Sequence, residues 1–236
     1  MTYPVTVFRW DDPGAPQLPS TNCSANDMKA VLKACLITGY GAKLPLGWLE
    51  VFDDSLGYVL QNKVADGGSG MMVRLWPSSG SWTSALTSSF SACLLLQSAK
   101  TYSASNSPLF PSQVNMSWAS QQTAGVTKSW ILIGTAIGFY LLIGHYSASI
   151  NTTQYTQSSV SDIYSFSMYV GDIVDTIPND AYPFVVVTKN HGSDTGDQSG
   201  ANIQGGFDTL YNDFGNSIGG IKMYEADGGT AFTKYG

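Results

Sequence analysis

The segment from Ser129 to Tyr146 carries no Lys, Arg, Asp or Glu, and it constrains the fold more than any other part of the chain. Two apolar, aromatic-rich runs, Trp130–Ile133 and Phe139–Ile143, flank a centre bounded by Gly134 and Gly138. A membrane-spanning helix needs ~20 predominantly apolar residues, and this segment barely reaches that length and is interrupted by glycines. Two runs of strand length around a turn are typical of a β-hairpin. The sequence therefore predicts a buried hairpin that belongs to the core.

One segment near the N-terminus has helical periodicity. Its apolar residues recur three and four positions apart, which places them on one face of a helix. They are Met28, Val31, Leu32, Cys35 and Leu36. Ser24 and Asp27 stand where a capping pair begins a helix, and Gly39 stands where a helix ends. We expect one clear helix over about residues 24–38.

Short apolar runs separated by turn residues dominate the rest of the chain, which is typical of sheet. Strands are predicted at Tyr3–Trp10, Trp48–Phe52, Gly57–Gln61, Met71–Trp76, Phe90–Leu96, Asn115–Trp118, Tyr164–Val170 and Phe184–Thr188. Ser98–Ser107 is predicted to be a polar loop that ends at Pro108–Pro111. The predicted fold class is therefore α+β, mostly β, with antiparallel sheets and one N-terminal helix.

The composition changes after Asn190. Glycine recurs throughout this tail, and none of the six tryptophans lies in it. We expect a mostly-β core domain at residues 1–189 and a Gly-rich, irregular C-terminal arm at residues 190–236. Such an arm is either ordered by contacts with neighbouring subunits or flexible.

The charge of the chain limits its partners. Charged residues make up 12% of the sequence, about half of the roughly 25% that soluble domains typically carry. With 11 Lys and Arg against 17 Asp and Glu, the chain has no basic stripe that would release phosphate counterions, so we expect no nucleic-acid partner. We expect no membrane partner either. A surface of Ser, Thr, Asn and Gly suits a protein that packs into assemblies, because little charge has to be desolvated.

Three widely spaced cysteines, Cys23, Cys35 and Cys93, include no CxxC pair. This spacing disfavours a zinc site and a disulfide framework. The cysteines are predicted to be reduced, partly buried thiols in a protein made in a cytoplasm. The N-terminus also lacks the basic and apolar regions of a secretion signal.

The histidines and aspartates of this sequence do not form a recognisable set of catalytic residues. His145 follows an apolar strand, and His191 lies in the Gly-rich tail where a general base would be poorly positioned. Asp194-Thr195-Gly196 matches the core of an aspartic protease loop, but no second copy supplies the partner carboxylate. Several aspartates have the chemistry that a glycosidase needs, although all lie in turn-like contexts where Asp caps backbone amides. They are Asp53, Asp54, Asp172, Asp175 and Asp180.

Metal binding has a similarly weak basis. Asp194 and Asp197, with Ser193 and Gln198, supply oxygen atoms but form no recognised calcium loop. We therefore predict no catalytic, cofactor-binding or metal-binding residues, and no cofactor.

Two segments carry a resemblance to a known family. Residues 4–16 read PVTVFRWDDPGAP, and residues 31–43 read VLKACLITGYGAK, followed by Gly47 and Trp48. They resemble a group of virion structural proteins of tailed bacteriophages, which begin with a strand, an Arg and a D-x-G-A-P turn and carry an "LLDACLVNGYG-K" helix segment. Weaker similarities at residues 108–111, 130–141, 171–173 and 180–182 extend the resemblance over most of residues 4–185.

The resemblance implies assembly rather than a reaction, because that family is known as virion components without a common catalytic motif. It implies location in the virion after synthesis in the bacterial host cytoplasm. The implied partners are other copies of the chain and capsid, neck or tail subunits. The sequence departs from the family pattern at Thr135–Ile137, where polar turn residues are replaced, and in its rearranged last portion.

The leading hypothesis is therefore a non-enzymatic structural subunit, in several symmetry-related copies, that decorates the capsid or forms part of the neck or tail. A second hypothesis is a host-recognition module that binds surface glycan through exposed aromatics such as Trp76 and Trp82. A third is a glycan hydrolase that uses Asp172 and Asp180. Six aromatic residues are expected to be buried anchors, mostly within the chain's own core. They are Phe8, Trp10, Trp48, Trp76, Trp118 and Trp130.

Overall fold

A computed structural model describes residues 4–19, 22–86, 93–111, 115–117, 129–144, 166–172, 184–189, 222–223 and 232–233. Within these ranges the chain is mostly strand, arranged as two large antiparallel sheets with one α-helix and a separate two-stranded pair. The predicted α+β, mostly β fold class is confirmed.

The helix α1 spans Ala25–Lys33. The strands are β1 (Thr6–Arg9), β2 (Leu49–Asp53), β3 (Tyr58–Gln61), β4 (Met72–Pro77), β5 (Leu94–Ala104), β6 (Ser107–Pro111), β7 (Asn115–Ser117), β8 (Ser129–Gly134), β9 (Gly138–Gly144), β10 (Phe166–Asp172), β11 (Phe184–Lys189), β12 (Lys222–Met223) and β13 (Phe232–Thr233).

The five-stranded sheet has the order β1-β8-β9-β10-β11, with antiparallel neighbours throughout. Its centre contains the predicted hairpin, in which Ser129 lies opposite Gly144 and Gly134 lies opposite Phe139. The hairpin prediction is confirmed for its strands and its turn. Its burial is one-sided, because only alternate residues of β8 and β9 face the core.

The six-stranded sheet has the order β2-β3-β4-β5-β6, and β7 also pairs with β5. The prediction that Ser98–Ser107 forms a loop is wrong, because β5 continues to Ala104 and turns directly into β6. Ser98 is buried where β5 pairs with β4, and Tyr102 is buried where β5 pairs with β6, so polar residues are compatible with a strand that neighbouring strands hold in place. The prolines of β6 lie at a sheet edge, where they are tolerated.

The helix begins as the sequence predicts. The Ser24 side chain accepts a hydrogen bond from the Asp27 amide, and the Asp27 carboxylate accepts one from the Ser24 amide. After Lys33 the helix widens into a π-helical turn over Ala34–Thr38, closed by Gly39 N–H donating to the Ala34 carbonyl at 2.8 Å. Gly39 then adopts a positive φ of 75° and redirects the chain.

One cluster of buried side chains joins the helix and both sheets. The helix face contributes Met28, Leu32 and Leu36, the six-stranded sheet Leu60, Leu75 and Leu96, and the five-stranded sheet Trp130, Phe139 and Leu141. The three cysteines are buried thiols, as predicted. Because both sheets bury one face against the same cluster, the apolar residues on their other faces are left outside it.

Most of the Gly-rich tail lies outside the described residues. The exceptions are β12 and β13, which pair antiparallel. The predicted arm over residues 190–236 and the division of the chain at residue 189 therefore stay predictions.

Candidate interaction surface

The two sequence segments that carry the family resemblance fold against each other. Gly14 and Gly41 have φ angles of 82° and 53°, in the left-handed region that favours glycine. A Cβ atom on Gly41 would overlap the Pro13 carbonyl oxygen, so a side chain cannot be placed there without moving the backbone. The D-x-G-A-P turn and the GYGAK segment thus form one contact, the turn–loop contact.

Asp12 is the centre of the polar interactions in the turn–loop contact. Its Oδ2 accepts hydrogen bonds from the Arg9 amide at 2.8 Å and from the Tyr40 hydroxyl at 2.9 Å, and Lys43 Nζ lies 3.3 Å away. Burial acts to raise the pKa of Asp12, but these donors outweigh it and hold the pKa below its usual value. Burial and the hydrogen bond to the Asp12 carboxylate both raise the pKa of Tyr40.

The side of the five-stranded sheet that faces away from the core is apolar. Val7, Ile133, Tyr140 and Tyr169 lie side by side across β1, β8, β9 and β10. Val7 is 42% exposed and Tyr140 is 44% exposed, and the rings of Tyr140 and Tyr169 have their centres 4.6 Å apart. A second row places Ile131 between Leu142 and Arg9, and the Arg9 guanidinium pairs with Asp11.

We call these six residues, Val7, Ile131, Ile133, Tyr140, Leu142 and Tyr169, the outer face. Leu142 is 41% exposed, and Ile131, Ile133 and Tyr169 are half-buried. All six are uncharged, so a partner that covers them alone would desolvate no ionised group, and the adjacent Arg9 keeps its charge paired with Asp11 at the border of the face. A contiguous exposed apolar patch on a sheet is a common sign of an interaction site.

The hairpin turn is held by residues beside β2 and β3 of the other sheet and by β10 of its own sheet. Trp48 Nε1 donates to the Thr135 carbonyl at 3.2 Å, the Lys63 amide donates to the Ala136 carbonyl at 3.0 Å, and the Asp172 amide donates to the Ile137 carbonyl at 3.0 Å. Thr135 supplies a polar side chain to the turn, because its Oγ1 accepts hydrogen bonds from the Ile137 and Gly138 amides at 3.2 and 3.3 Å. Since the turn carbonyls are also bonded inside the fold, Ala136 and Ile137 need no polar side chain, which explains why Thr-Ala-Ile is compatible with the position where the resembled family has polar residues.

Asp172, which the sequence offers as a carboxylate for a glycan hydrolase, lies next to the hairpin turn. Its two carboxylate oxygens accept hydrogen bonds from Ser69, from the amide at 2.8 Å and from the hydroxyl at 2.6 Å. Burial raises the pKa of Asp172, and the hydrogen bonds from Ser69 oppose the rise only in part. Asp172 thus fastens the β3–β4 connection to the end of β10.

The other two described candidates, Asp53 and Asp54, also hold local structure. Asp53 pairs with Lys29 at 2.8 Å and with Lys33 at 3.3 Å on α1. Burial acts to raise its pKa, but the two lysines outweigh this and lower it. Asp54 accepts a hydrogen bond from Ser105 Oγ at 2.8 Å and caps the amides of the tight turn before β3, and these bonds lower its pKa.

The aromatic residues proposed for glycan binding are half-buried. The Arg74 guanidinium lies 4.0 Å from the centre of the Trp76 ring, and Lys29 Nζ lies 4.5 Å from the centre of the Trp82 ring. The Trp82 indole also donates to the Ser55 carbonyl. One face of each ring is therefore occupied by a cation of the same chain, so a sugar would have only the other face on which to stack.

Among the predicted aromatic anchors, three lie in the core. Phe8, Trp48 and Trp130 are at most 2% exposed, and Trp10 packs against the same cluster while half-buried. Trp130 donates its indole N–H to the Pro16 carbonyl, which ties the D-x-G-A-P turn to β8. Trp118 lies outside the described residues.

Several other candidates lie outside the described residues as well. They are His145, His191, Asp175, Asp180, Ser193, Asp194, Thr195, Gly196, Asp197 and Gln198. Within the part that is described, no three His, Cys, Asp or Glu side chains gather as a metal-binding group would require. In that same part, every helix is too short or too polar to cross a membrane.

The outer face is the feature that sequence reasoning missed. Both alternating residue sets of the hairpin are apolar, so the pattern shows two strands but does not show which set is covered. The neighbouring β1, with Val5 and Val7 on one side and Phe8 on the other, carries the same ambiguity.

Comparison with known proteins gives no relative for this chain. No family model, no curated protein and no solved structure matches it.

Proposed function

We propose that this chain is a non-enzymatic structural subunit of a tailed-bacteriophage virion and that it works through protein–protein contacts. Its partners would be further copies of itself and capsid, neck or tail subunits, and it would be made in the bacterial host cytoplasm before it joins the particle. The observation that carries this proposal is the outer face, an apolar surface bordered by the ion-paired Arg9, on a chain with only 12% charged residues.

Two further observations support the proposal. The segments that resemble virion proteins form the turn–loop contact, so the resemblance falls on residues that shape the fold. The described candidate carboxylates of a hydrolase, Asp53, Asp54 and Asp172, are engaged in ion pairs and turn caps.

Incorporation into particles tests the proposal. Phage particles are assembled in cells in which the phage copy of the gene is disabled and a plasmid supplies either the wild-type chain, Leu142→Lys or Leu56→Lys. Leu142 lies on the outer face, whereas Leu56 is a similarly exposed leucine in a turn of the other sheet. A buried lysine opposite an apolar partner is costly, so we expect Leu142→Lys to reduce the amount of chain in purified particles at least about tenfold.

Leu56→Lys should be incorporated like the wild type. Absence of the wild-type chain from purified particles, measured by quantitative mass spectrometry, would overturn the proposal. Equal incorporation of both variants would keep the virion assignment but remove the outer face from it. An image of particles that carry a labelled chain would then locate the subunit.

A further inference from the structure

The strand β1 lies at an edge of the five-stranded sheet, and in the described part of the chain it pairs with β8 alone. The Trp10 amide donates to the Trp130 carbonyl, and the register continues with Phe8 opposite Leu132. In an antiparallel pair, alternate residues direct their backbone groups toward the partner strand. Val7 and Arg9 therefore direct their N–H and C=O groups away from β8, toward the open edge.

Side chains of the turn–loop contact occupy this edge. Lys43 Nζ donates to the Val7 carbonyl at 2.7 Å, and the Arg9 amide donates to Asp12 Oδ2 at 2.8 Å. The Arg9 carbonyl accepts from the Asp12 amide at 3.1 Å, and the Tyr40 hydroxyl, which donates to Asp12, lies 3.3 Å from that carbonyl. These are the groups through which another strand would bind. The loop is itself closed by two backbone hydrogen bonds between Tyr40 and Lys43.

We propose that residues 40–43, with Asp12, form an edge guard, an autoinhibitory contact that keeps β1 from pairing with β1 of a second copy of this chain. An open edge strand is a template for strand addition. The same edge of a second copy is the self-complementary partner, because two antiparallel β1 strands meet across a two-fold axis. With the guard displaced, such a pair would join two five-stranded sheets and make their outer faces continuous.

The composition of the edge makes a guard necessary. Val7 in β1 and Val5 just before it are 42% and 64% exposed, so the unguarded edge would present apolar side chains together with free backbone groups. Lys43 supplies a charged donor, and burying its ammonium group between two paired strands would be costly. The guard therefore gives the backbone groups of β1 hydrogen-bond partners, and it makes the approach of another strand costly because the Lys43 ammonium group would be desolvated.

Cysteine cross-linking, with dissolved oxygen as the oxidant that accepts the two electrons of each disulfide, tests the proposal on the full-length chain. Val7→Cys places a thiol near the two-fold axis of a β1–β1 pair, whereas the native cysteines are buried. The comparison is between V7C alone, V7C/K43M, V7C/K43R and V7C/K63M. Lys43→Met keeps the apolar stem and removes the donor, Lys43→Arg keeps a donor, and Lys63 forms an exposed ion pair with Asp66 elsewhere on the surface.

We expect V7C/K43M to form the disulfide-linked dimer, joined through the introduced thiols, about tenfold faster than V7C, which corresponds to the loss of one charge-assisted hydrogen bond. V7C/K43R and V7C/K63M should cross-link at the V7C rate. Equal rates for V7C and V7C/K43M would overturn the proposal, as would equal acceleration by K63M, which would indicate general loosening.

Tyr40→Phe in the V7C background gives a second variant if K43M does not fold. It removes the hydroxyl that donates to Asp12 and covers the Arg9 carbonyl, so it should loosen the guard and also accelerate cross-linking. An unchanged rate would count against the guard. The assay needs only the purified chain, so its outcome is independent of whether the chain enters particles.

Discussion

At the scale of single residues, glycine at position 41 is required by both backbone angle and space. Its φ is positive, and the Pro13 carbonyl oxygen occupies the position where a Cβ would lie. Gly80 is a matched contrast, because its φ of 73° is also positive but nothing lies within 4 Å of a Cβ built there. The two positions separate the cost of backbone strain from the cost of a close contact.

We expect Gly80→Ala to lower the free energy of unfolding by about 1–2 kcal/mol, the cost of the left-handed conformation. Gly41→Ala should cost more, about 3 kcal/mol or greater, because the turn–loop contact must also open. Urea unfolding of both variants measures the difference. Equal losses of unfolding free energy in the two variants would mean that the D-x-G-A-P turn moves away from the new Cβ at no energetic cost.

Asp12 makes a pH-dependent contribution to stability. Its pKa is lowered in the folded chain, so its contribution is present above the ordinary aspartate value of 3.8 and is lost as the pH falls through the folded value. Asp12→Asn should lower the free energy of unfolding at neutral pH by about 1–3 kcal/mol and make the acid-side decline below about pH 4 shallower. Asp66→Asn, in an exposed ion pair, is the control.

Thermal unfolding between about pH 2 and pH 7 measures both effects. An Asp12→Asn curve parallel to the wild type over the acid range would contradict the assignment of the charged carboxylate to the turn–loop contact.

At the scale of elements, the sequence predicted what local chemistry determines. The Ser24–Asp27 cap, the helix face from Met28 to Leu36 and the glycine-bounded hairpin all formed as expected, because each depends on residues close together in the chain. The extension of β5 through Ser98–Ala104 was missed because its strand pairing is with β4 and β6. Polar residues there are compatible with a strand once β4 pairs with its beginning and β6 with its end.

The outer face was not predictable from the sequence, because contacts with distant parts of the chain decide which side of the hairpin is covered. Tyr140 and Phe139 are adjacent aromatic residues of one strand, yet one is exposed and the other is buried. Only the position of the helix and the second sheet decides which side is covered, and neither is encoded within the hairpin itself.

The capping box offers a test of the helix as an element. Ser24→Ala removes the acceptor for the Asp27 amide, and loss of such a cap costs about 1 kcal/mol. Ser24→Thr keeps a hydroxyl and should retain most of the stability. Differential scanning calorimetry should show a lower melting temperature for the alanine variant alone. Equal melting temperatures for both variants would mean that α1 is fixed by packing and not by its cap.

At the scale of the whole molecule, the two sheets share more than an apolar core. The β3–β4 connection reaches across to the hairpin turn and to Asp172 through Lys63, Ser69 and Asn62. Hydrogen bonds are directional, so they fix the relative position of two layers with more specificity than apolar contacts alone. The inter-sheet contacts therefore predict that both sheets unfold as one unit.

Asp172→Ala tests this cooperativity, because it removes both bonds to Ser69 while leaving each sheet's strand pairing intact. We expect it to lower the free energy of unfolding by about 1–3 kcal/mol and to speed the exchange of the most protected amides equally in both sheets. Native-state hydrogen exchange at Leu60 and Leu75, in one sheet, and at Leu132 and Leu141, in the other, provides the measurement. Asp66→Ala should leave all four amides unchanged. If exchange accelerates only at Leu132 and Leu141, the sheets open separately, and a covered outer face would stabilise one sheet without the other.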